Sequence, residues 1–371
     1  MNRSFIWVLI TGAIAVFLLS IASLGWVATQ SSIALLTGGV QAFPQATVFI
    51  PKQAVAVVSL LVNPEKLYGL RQASLPLKRR QSDRQEWQQW EQVLAAKIGL
   101  NYQQDLKSWL GDEISLAIST LDYDRNPDNG AQPGYLLAMK ARDPRLARQS
   151  LINFYEKQDR VLTEKYKGAD IVFLSSSKTA PQVWASAVVG NFVLFANQPQ
   201  ILKQAINQAQ AIDLNLEQSE YYQEAIDQLE RPHIALAYVN ILNTSAWLDK
   251  SAIPDKSSAG QTLSADLTIS KTDLAAQILT QTSDVASFYA DKSFLHNPEL
   301  QQIINSLNLN RPNSASIDLK QASLLEDRIP LYKVTKLAVK SLLPHLKAIA
   351  IENQGTEERV NRTSMVFKLD A

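Results

Sequence analysis

The stretch VWASAVVGNFVLFA, residues 183–196, decides the fold. Two apolar runs, Val183–Val189 and Phe192–Ala196, flank the dipeptide Gly190-Asn191. Glycine at the first position of a two-residue turn supplies the positive φ that a primed turn requires, so the pattern predicts two strands joined by a tight hairpin. The chain is therefore expected to contain an antiparallel sheet.

The same kind of pattern recurs along the chain. Lys167-Gly168 separates Thr163–Tyr166 from Ile171–Leu174, and a loop at Asp128-Asn129-Gly130 separates Ile114–Leu121 from Tyr135–Lys140. Both patterns predict hairpins with longer or looser turns.

Two further segments show the alternation of a single strand. Leu263–Ser270 alternates apolar with polar residues, and this period of two predicts a strand with one face in water. Met365, Phe367 and Leu369 alternate in the same way near the C-terminus.

Helices are indicated by a capping residue followed closely by proline. Asn63-Pro64, Asp143-Pro144 and Asn297-Pro298 each place a side-chain oxygen before a ring whose fixed φ suits the first helical position. Asn197-Gln198-Pro199 is a near relative of these pairs. Periodic apolar positions follow three of these caps: Leu146, Leu151 and Phe154; Ile201, Ala205 and Ile212; and Leu300, Ile303, Ile304 and Leu307.

These elements together predict an α+β fold, in which antiparallel sheets carry helices packed on one face. VVSLLVN at Val57–Asn63 resembles IALAYVN at Ile234–Asn240, which indicates two related halves, residues 45–212 and 213–371. Two buried strands can also look alike by chance, so both interpretations stay open.

An uncharged apolar segment at Phe5–Ala28 predicts a transmembrane helix. No charged residue lies between Arg3 and Lys52. A helix over this segment is about 36 Å long, enough to cross a hydrocarbon core of roughly 30 Å. We assign residues 1–30 to the anchor and residues 31–44 to an apolar lead-in. A buried helix of a soluble protein is the alternative interpretation.

The basic residues around the segment predict its orientation. Arg3 precedes it, and no Lys or Arg follows it within the roughly 15–20 residues that decide topology. The N-terminus is therefore expected in the cytoplasm, with the domain on the other side of the membrane. Ser20-Ile21-Ala22 is a possible cleavage site, but the apolar run continues beyond it, which favours retention.

The residue inventory argues against several chemistries. The 371 residues include no cysteine and three histidines, and their net charge is +1. His233, His296 and His345 are far apart in sequence, and no G-x-S-x-G or H-E-x-x-H motif is present. Ser175–Lys178 has the S-x-x-K spacing but lies between predicted strands, and Asp122–Asp128 lacks the glycine and glutamate of a calcium loop. We predict no enzyme activity, no metal, no cofactor and no nucleic-acid partner.

Two groups of basic residues are candidate contacts with an anionic surface. The first contains Lys78, Arg79, Arg80 and Arg84, and the second contains Lys333, Lys336 and Lys340. The expected partner is anionic lipid or an acidic membrane protein, and a solvated surface is the alternative.

Four segments cover nearly the whole chain as an ordered set: AVAVVSLLVNPEKL (54–67), LKSWLGDEISLAI (106–118), VVGNFVLFANQPQILKQAI (188–206) and LPHLKAIAIENQGTEERVNRTSMVFKLD (343–370). In this order they resemble a family of N-terminally anchored proteins of unknown function that is common in cyanobacteria. The resemblance implies a plasma or thylakoid membrane, with the domain in the periplasm or the thylakoid lumen. It implies no catalytic residues.

Three functions are compatible with these sequence features. The first is a membrane-anchored, extracytoplasmic interaction or scaffold protein. The second is a carrier of a lipid or another apolar ligand, and the third is a hydrolase with dispersed active-site residues. A deep apolar pocket favours the carrier, whereas a flat apolar or basic patch favours the scaffold.

Overall fold

The computed structural model describes most of the first two thirds of the chain and several later strands. The described residues are 43–66, 100–126, 132–174, 184–229, 233–240, 262–269, 274–281, 313–314, 346–357 and 360–369, with single positions at 81, 84, 85, 88 and 128.

The described residues form one antiparallel sheet. Its strands are β1 (Ala56–Leu60), β2 (Leu110–Thr120), β3 (Gly134–Ala141), β4 (Val161–Tyr166), β5 (Ala169–Leu174), β6 (Ala185–Val189), β7 (Phe192–Ala196), β8 (Ala235–Asn240), β9 (Thr262–Ile269), β10 (Leu274–Gln281), β11 (Asn313–Ser314), β12 (Leu346–Glu357) and β13 (Val360–Leu369). Their order within the described part of the sheet is β11-β12-β13-β10-β9-β8-β1-β2-β3-β7-β6-β5-β4. Three α-helices accompany them: α1 (Pro144–Tyr155), α2 (Pro199–Gln210) and α3 (Glu220–Asp227). The predicted α+β class and antiparallel sheet are confirmed.

The predicted hairpins β4–β5 and β6–β7 are confirmed with their turns, and β2 pairs with β3 as the third hairpin requires. Gly190 has φ +58° between β6 and β7, as the primed turn requires. Lys167 and Gly168 between β4 and β5 have φ of +46° and +84°. Positive φ at both central residues is the mark of a type I′ turn, whose twist matches that of the strands it joins.

Helices pack on both faces of the sheet, so the prediction of helices on one face is wrong. Leu151 and Phe154 of α1 share a core cluster with Leu137, whereas Ile201 of α2 shares another cluster with Leu136. Successive side chains of a strand point to opposite faces. We call the α1 side the back face and the α2 side the front face. The physical reason is that β7 is buried at all five positions, so its apolar run fills two cores.

Three polar positions of β9 are buried, which corrects the prediction of a water-facing side for this part of the strand. Thr262, Ser264 and Asp266 are each at most 2% exposed. The Ser264 hydroxyl donates a hydrogen bond to the carbonyl of Ala225 at 3.3 Å, and Ala225 belongs to α3. Helix α3 therefore covers this polar row, whose alternation alone resembles that of a surface strand.

The proline-linked caps divide into two kinds. The Asp143 carboxylate accepts hydrogen bonds from the amides of Arg145 and Leu146, as predicted for a cap. Asn197 instead accepts from the Tyr135 amide at 2.8 Å and donates to the Pro133 carbonyl at 2.9 Å. Asn197 thus fixes the start of β3, because tertiary partners replace the local one. Asn297 lies outside the described residues.

Two residues assigned to buried helical faces are exposed. Leu146 is 48% exposed in the first turn of α1, and Ile212 is 64% exposed beyond the end of α2 at Gln210. Leu151, Phe154, Ile201 and Ala205 are buried as predicted.

Strand order is similar on either side of the centre of the sheet. It runs β1-β2-β3-β7-β6 in one direction and β8-β9-β10-β13-β12 in the other. β1 and β8 contain the two similar segments and are paired neighbours. The division at residues 212 and 213 stays a prediction, with which this order is compatible.

Strand β4 is the outermost strand at one end of the described order. Lys203 of α2 forms an ion pair with Glu164 at 2.7 Å, and its ammonium lies 5.7 Å from the centroid of the Tyr166 ring. The Tyr166 hydroxyl lies 3.0 Å from Oδ1 of Asn207, to which it donates a hydrogen bond. These polar contacts tie the edge strand to α2.

No helix among the described residues is long and apolar enough to cross a membrane. The segment Phe5–Ala28 lies outside the described residues, so the transmembrane anchor stays a prediction.

Gly134 allows α2 to approach β3, and we expect Gly134→Ala to destabilise the fold by about 1–3 kcal/mol. A Cβ at this position would meet Ile201 Cδ1 and lie 2.7 Å from Thr120 Cγ2. The measurement is urea unfolding followed by circular dichroism. Ile201→Val removes Cδ1, so Gly134→Ala should cost less in that background. An equal cost in both backgrounds would contradict the proposed contact.

Candidate functional site at the start of strand β2

One of the seven basic residues predicted to contact an anionic surface lies among the described residues. Arg84 occupies a helical position and is exposed. Lys78, Arg79, Arg80, Lys333, Lys336 and Lys340 lie outside the described residues, and their role stays a prediction.

A buried carboxylate near the start of β2 holds the first residues of the domain. Glu113 is 4% exposed. It accepts hydrogen bonds from the amide of Gln45 at 3.0 Å and from the amide of Ala46 at 2.7 Å. These amides begin the 3₁₀ helix Gln45–Phe49, so the carboxylate caps the end where free N–H groups and positive dipole ends point. The chain arriving from the N-terminal segment is thereby fixed to the sheet.

Two hydroxyls extend this polar contact across the front face. The Ser115 hydroxyl donates to Glu113 Oε1 at 3.3 Å, and the hydroxyls of Ser115 and Ser59 lie 2.8 Å apart. Both serines are 1% exposed. Buried polar atoms are tolerated where they satisfy each other in this way, and the chain of contacts joins β2 to β1 through side chains as well as backbone.

Burial controls the protonation of this carboxyl. Desolvation raises the pKa of Glu113 above its ordinary value, against the opposing effects of the Ala46 and Gln45 amides, of Lys140 and of the Ser115 hydroxyl. Lys140 pairs with the more exposed Asp112 at 3.1 Å, which leaves burial as the dominant effect. Burial also raises the pKa of Tyr222, and the charge of Glu113 adds to that shift.

A second segment is attached two residues before Glu113. The Asn63 amide group donates to the carbonyls of Leu110 at 2.9 Å and Gly111 at 2.6 Å, and its oxygen accepts from the Glu65 amide. Lys107 and Glu65 form an ion pair at 2.7 Å. Two residues of strand span only about 7 Å. The residues that follow the N-terminal segment and the residues that precede 67–99 are therefore both attached to the same end of β2.

Helix α1 begins at this same end, on the back face. Ala141 pairs with Leu110, and the Arg142 amide donates to the Trp109 carbonyl at 2.9 Å. The Arg142 guanidinium donates to the carbonyl of Lys107 at 2.8 Å. Trp109 is fully buried, so the connection is rigid.

One of the residues considered for catalysis lies among the described residues. His233 is 1% exposed just before β8, while His296, His345 and Ser175–Lys178 lie outside the described residues. Ser59 and Ser115 lie near the Glu113 carboxylate, and both are almost completely shielded from solvent.

The acidic loop after β2 is held by its own backbone. Asp122 accepts from the Gln132 amide, Asp124 from the Asn126 amide and Asn126 from the Asp128 amide. Within the described part of the chain, no group of three or more His, Cys, Asp or Glu residues is placed to hold a metal ion.

Sequence reasoning missed Glu113 as a functional residue. The sequence indicates this role through spacing: Glu113 lies two residues before Ser115 and four before Ala117, so all three side chains point to the front face of β2. A carboxylate at a buried position of a strand needs hydrogen-bond donors, but the sequence does not show which backbone amides supply them.

Comparison with known proteins identifies a family. A family model described as "Protein of unknown function (DUF3352)" matches residues 9–289, about three quarters of the 371 residues. The match begins inside the apolar segment Phe5–Ala28, and β11–β13 lie beyond its end. No protein with a curated description is significantly similar to the chain.

Solved structures of TP0453 are distant neighbours. Crystal form I has a TM-score of 0.36 and 9% identity, covering 89% of this chain and 93% of that chain. Crystal form III has a TM-score of 0.34 and 10% identity, covering 74% of this chain and 90% of that chain.

Two substitutions of Glu113 are expected to distinguish the contribution of its hydrogen bonds to stability from the effect of its buried charge. Glu113→Ala leaves two amides without their acceptor and should lower the free energy of unfolding by about 2–5 kcal/mol. Glu113→Gln keeps an acceptor oxygen and removes the buried charge, so it should cost less. The measurement is urea unfolding of the full chain in mild detergent.

The same two proteins test the direction of the pKa shift. Because the folded pKa lies above the ordinary 4.5, the folded state binds the extra proton between 4.5 and the raised value. The stability of the natural protein relative to Glu113→Gln should therefore fall as pH rises through that window. A difference that is independent of pH, or that grows with pH, would contradict the shift.

Proposed function

We propose that this chain, which belongs to the DUF3352 family of proteins of unknown function, is a membrane-anchored interaction scaffold that lacks enzyme activity. A single N-terminal helix crosses a plasma or thylakoid membrane of a cyanobacterium, with the N-terminus in the cytoplasm. The α+β domain is presented in the periplasm or the thylakoid lumen.

The contact between Glu113 and the amides of Gln45 and Ala46 carries this proposal. Sixteen residues separate Ala28 from Gln45. They reach at most about 55 Å when extended and about 24 Å as a helix. Because Gln45 and Ala46 are fixed to the sheet by Glu113, the domain has a defined attachment point and stays within that distance of the anchor. A protein that positions partners near a membrane needs that constraint, whereas an enzyme acting on a diffusing substrate does not.

The family match supports the anchor as part of the domain architecture. It starts at residue 9, so most of the apolar segment belongs to the matched region. An apolar segment that accompanies the domain fits an anchor.

The second attachment supports a role for the basic stretch. Asn63 binds the carbonyls of Leu110 and Gly111, and Glu65 pairs with Lys107. The chain at Lys66, twelve residues before Lys78, therefore lies at the end of β2 where the N-terminal segment is attached. Anionic headgroups are the partner that this charge and this position favour.

Carriage of a lipid or another apolar ligand is the second candidate, and the back face supports it. Val58 and Leu60 of β1 pair with Leu116 and Ile114 of β2. These four apolar side chains are only half-buried. A row of half-buried apolar groups can line a site for an acyl chain.

The anchor and orientation can be tested with two single cysteines, since the chain has none of its own. On right-side-out vesicles of the plasma membrane, whose periplasmic side faces outward, Lys157→Cys just beyond the end of α1 should react with an impermeant maleimide. Asn2→Cys should react only after permeabilisation. In right-side-out thylakoid vesicles, whose lumen is inside, the two labelling results should be exchanged. The protein should resist carbonate extraction. Labelling of both cysteines from the same side would overturn the single crossing, and a mature N-terminus at Ser23 would overturn the retained anchor.

The basic stretch can be tested by trypsin protection. Full-length protein is inserted into vesicles of phosphatidylcholine alone or with phosphatidylglycerol. Cleavage after Lys78, Arg79, Arg80 and Arg84 should be slower with the anionic lipid. At 1 M salt, where the Debye length is about 3 Å, the protection should vanish. Cleavage after the exposed Lys165 is the control, and equal rates in both vesicles would leave the stretch a solvated surface.

A further inference from the structure

We propose that the outward face of helix α1 contacts anionic lipid headgroups of the membrane that holds the anchor. This inference rests on the proposed anchoring and names the surface of the domain that faces the bilayer.

Large apolar side chains on this face are open to solvent. Leu146 is 48% exposed and Ile152 is 45% exposed. The opposite side of α1 is buried in the back core through Ala147, Leu151, Phe154 and Tyr155. A separation of six residues places Leu146 and Ile152 about 120° apart around the helix axis. They therefore flank the outward face, with the exposed Gln149 and Asn153 between them.

Arginines surround the exposed apolar groups. Residues 142–153 contain three arginines and one aspartate, a net charge of +2. Arg142, Arg145 and Arg148 are all exposed, and the Arg145 side chain is 89% exposed. Asp143 caps the helix and pairs with Arg145 at 3.4 Å. The carbonyls bound by Arg142 are neutral, so its positive charge persists at the surface.

This mixture matches the chemistry of a bilayer interface. Surface helices that bind membranes combine leucine-like residues with arginine or lysine, because the apolar groups enter the headgroup region while the cations meet phosphate. An acidic protein would complement the arginines but would leave Leu146 and Ile152 without a favourable environment.

The position of α1 favours the same partner. Arg142 follows Ala141, which pairs with Leu110 at the start of β2. Glu113, three residues along that strand, holds the chain that arrives from the predicted anchor. The first turn of α1 therefore lies at the end of the sheet that the anchor brings to the membrane.

The helix geometry sets how deeply the face can enter. Leu146 and Ile152 are separated by about 9 Å along the helix axis. The polar zone on each side of the hydrocarbon core is roughly 5–8 Å thick. Leu146 is therefore expected to contact the headgroups first, and Ile152 joins it only if α1 lies flat on the bilayer.

The test uses full-length protein with an environment-sensitive fluorophore on Leu146→Cys or Ile152→Cys. The protein is reconstituted into vesicles of phosphatidylcholine alone or with phosphatidylglycerol. We expect a blue-shifted emission at position 146 with phosphatidylglycerol that is lost at 1 M salt. Arg145→Gln with Arg148→Gln should lower the ratio of contacting to free molecules about 25-fold, at about fivefold per arginine.

Matched variants separate the local contact from general effects. Ile212→Cys places the fluorophore at a site that is 64% exposed next to α2 on the front face, and its emission should stay that of water. Arg125→Gln with Arg160→Gln removes the same charge from two exposed loops and should leave the position 146 signal unchanged.

Three outcomes would overturn the proposal while vesicle flotation still shows an anchored protein. They are a water-like emission at position 146 with phosphatidylglycerol, an equal shift in both vesicle types, and a shift that appears only in native membranes. The last outcome would assign the face to a protein partner. Loss of flotation would instead overturn the anchor itself.

Discussion

The backbone pairing of β1 holds the described sheet together. All five residues from Ala56 to Leu60 pair with β2 on one side and with β8 on the other. Among the described strands, backbone pairing passes from one side of the sheet to the other through this short strand, and the front core, which contains Leu136 and Leu236, packs across it. Ser59 adds a side-chain contact to Ser115 of β2 at 2.8 Å. Any force applied to the chain at Gln45 is therefore transmitted through Glu113 into the strand beside the centre of the sheet.

Local features of the fold could be predicted from sequence, and features that depend on distant partners could not. The turns at Gly190 and Lys167-Gly168 are decided by φ preferences of the residues in them. The second helical layer could not be predicted, because a continuous apolar strand such as β7 does not reveal whether one or two faces are covered. Asp143 and Asn197 have similar sequence contexts, yet only Asp143 finds its partners within its own helix.

The candidate site was harder to predict than the fold. Basic residues attract attention in a sequence, whereas Glu113 is one of two adjacent acids and gains its role from amides that lie 67 and 68 residues away. Leu146 is exposed because five helical residues place it about 140° around the axis from Leu151, while its neighbour Ala147 contacts the back core. The apolar spacing did not show which side of the first turn the core covers.

The charged edge of the sheet at β4 has its largest effect on self-association if the protein is confined to a membrane surface. Proteins that move in two dimensions meet each other far more often than the same number of molecules in solution, and they meet side by side. An open strand edge is a template for pairing with a neighbour. Glu164, Lys165 and Lys167 place charge along β4, and the ion pair to Lys203 ties this strand to α2. Under lateral crowding, such an edge favours separate molecules over the growth of a shared sheet.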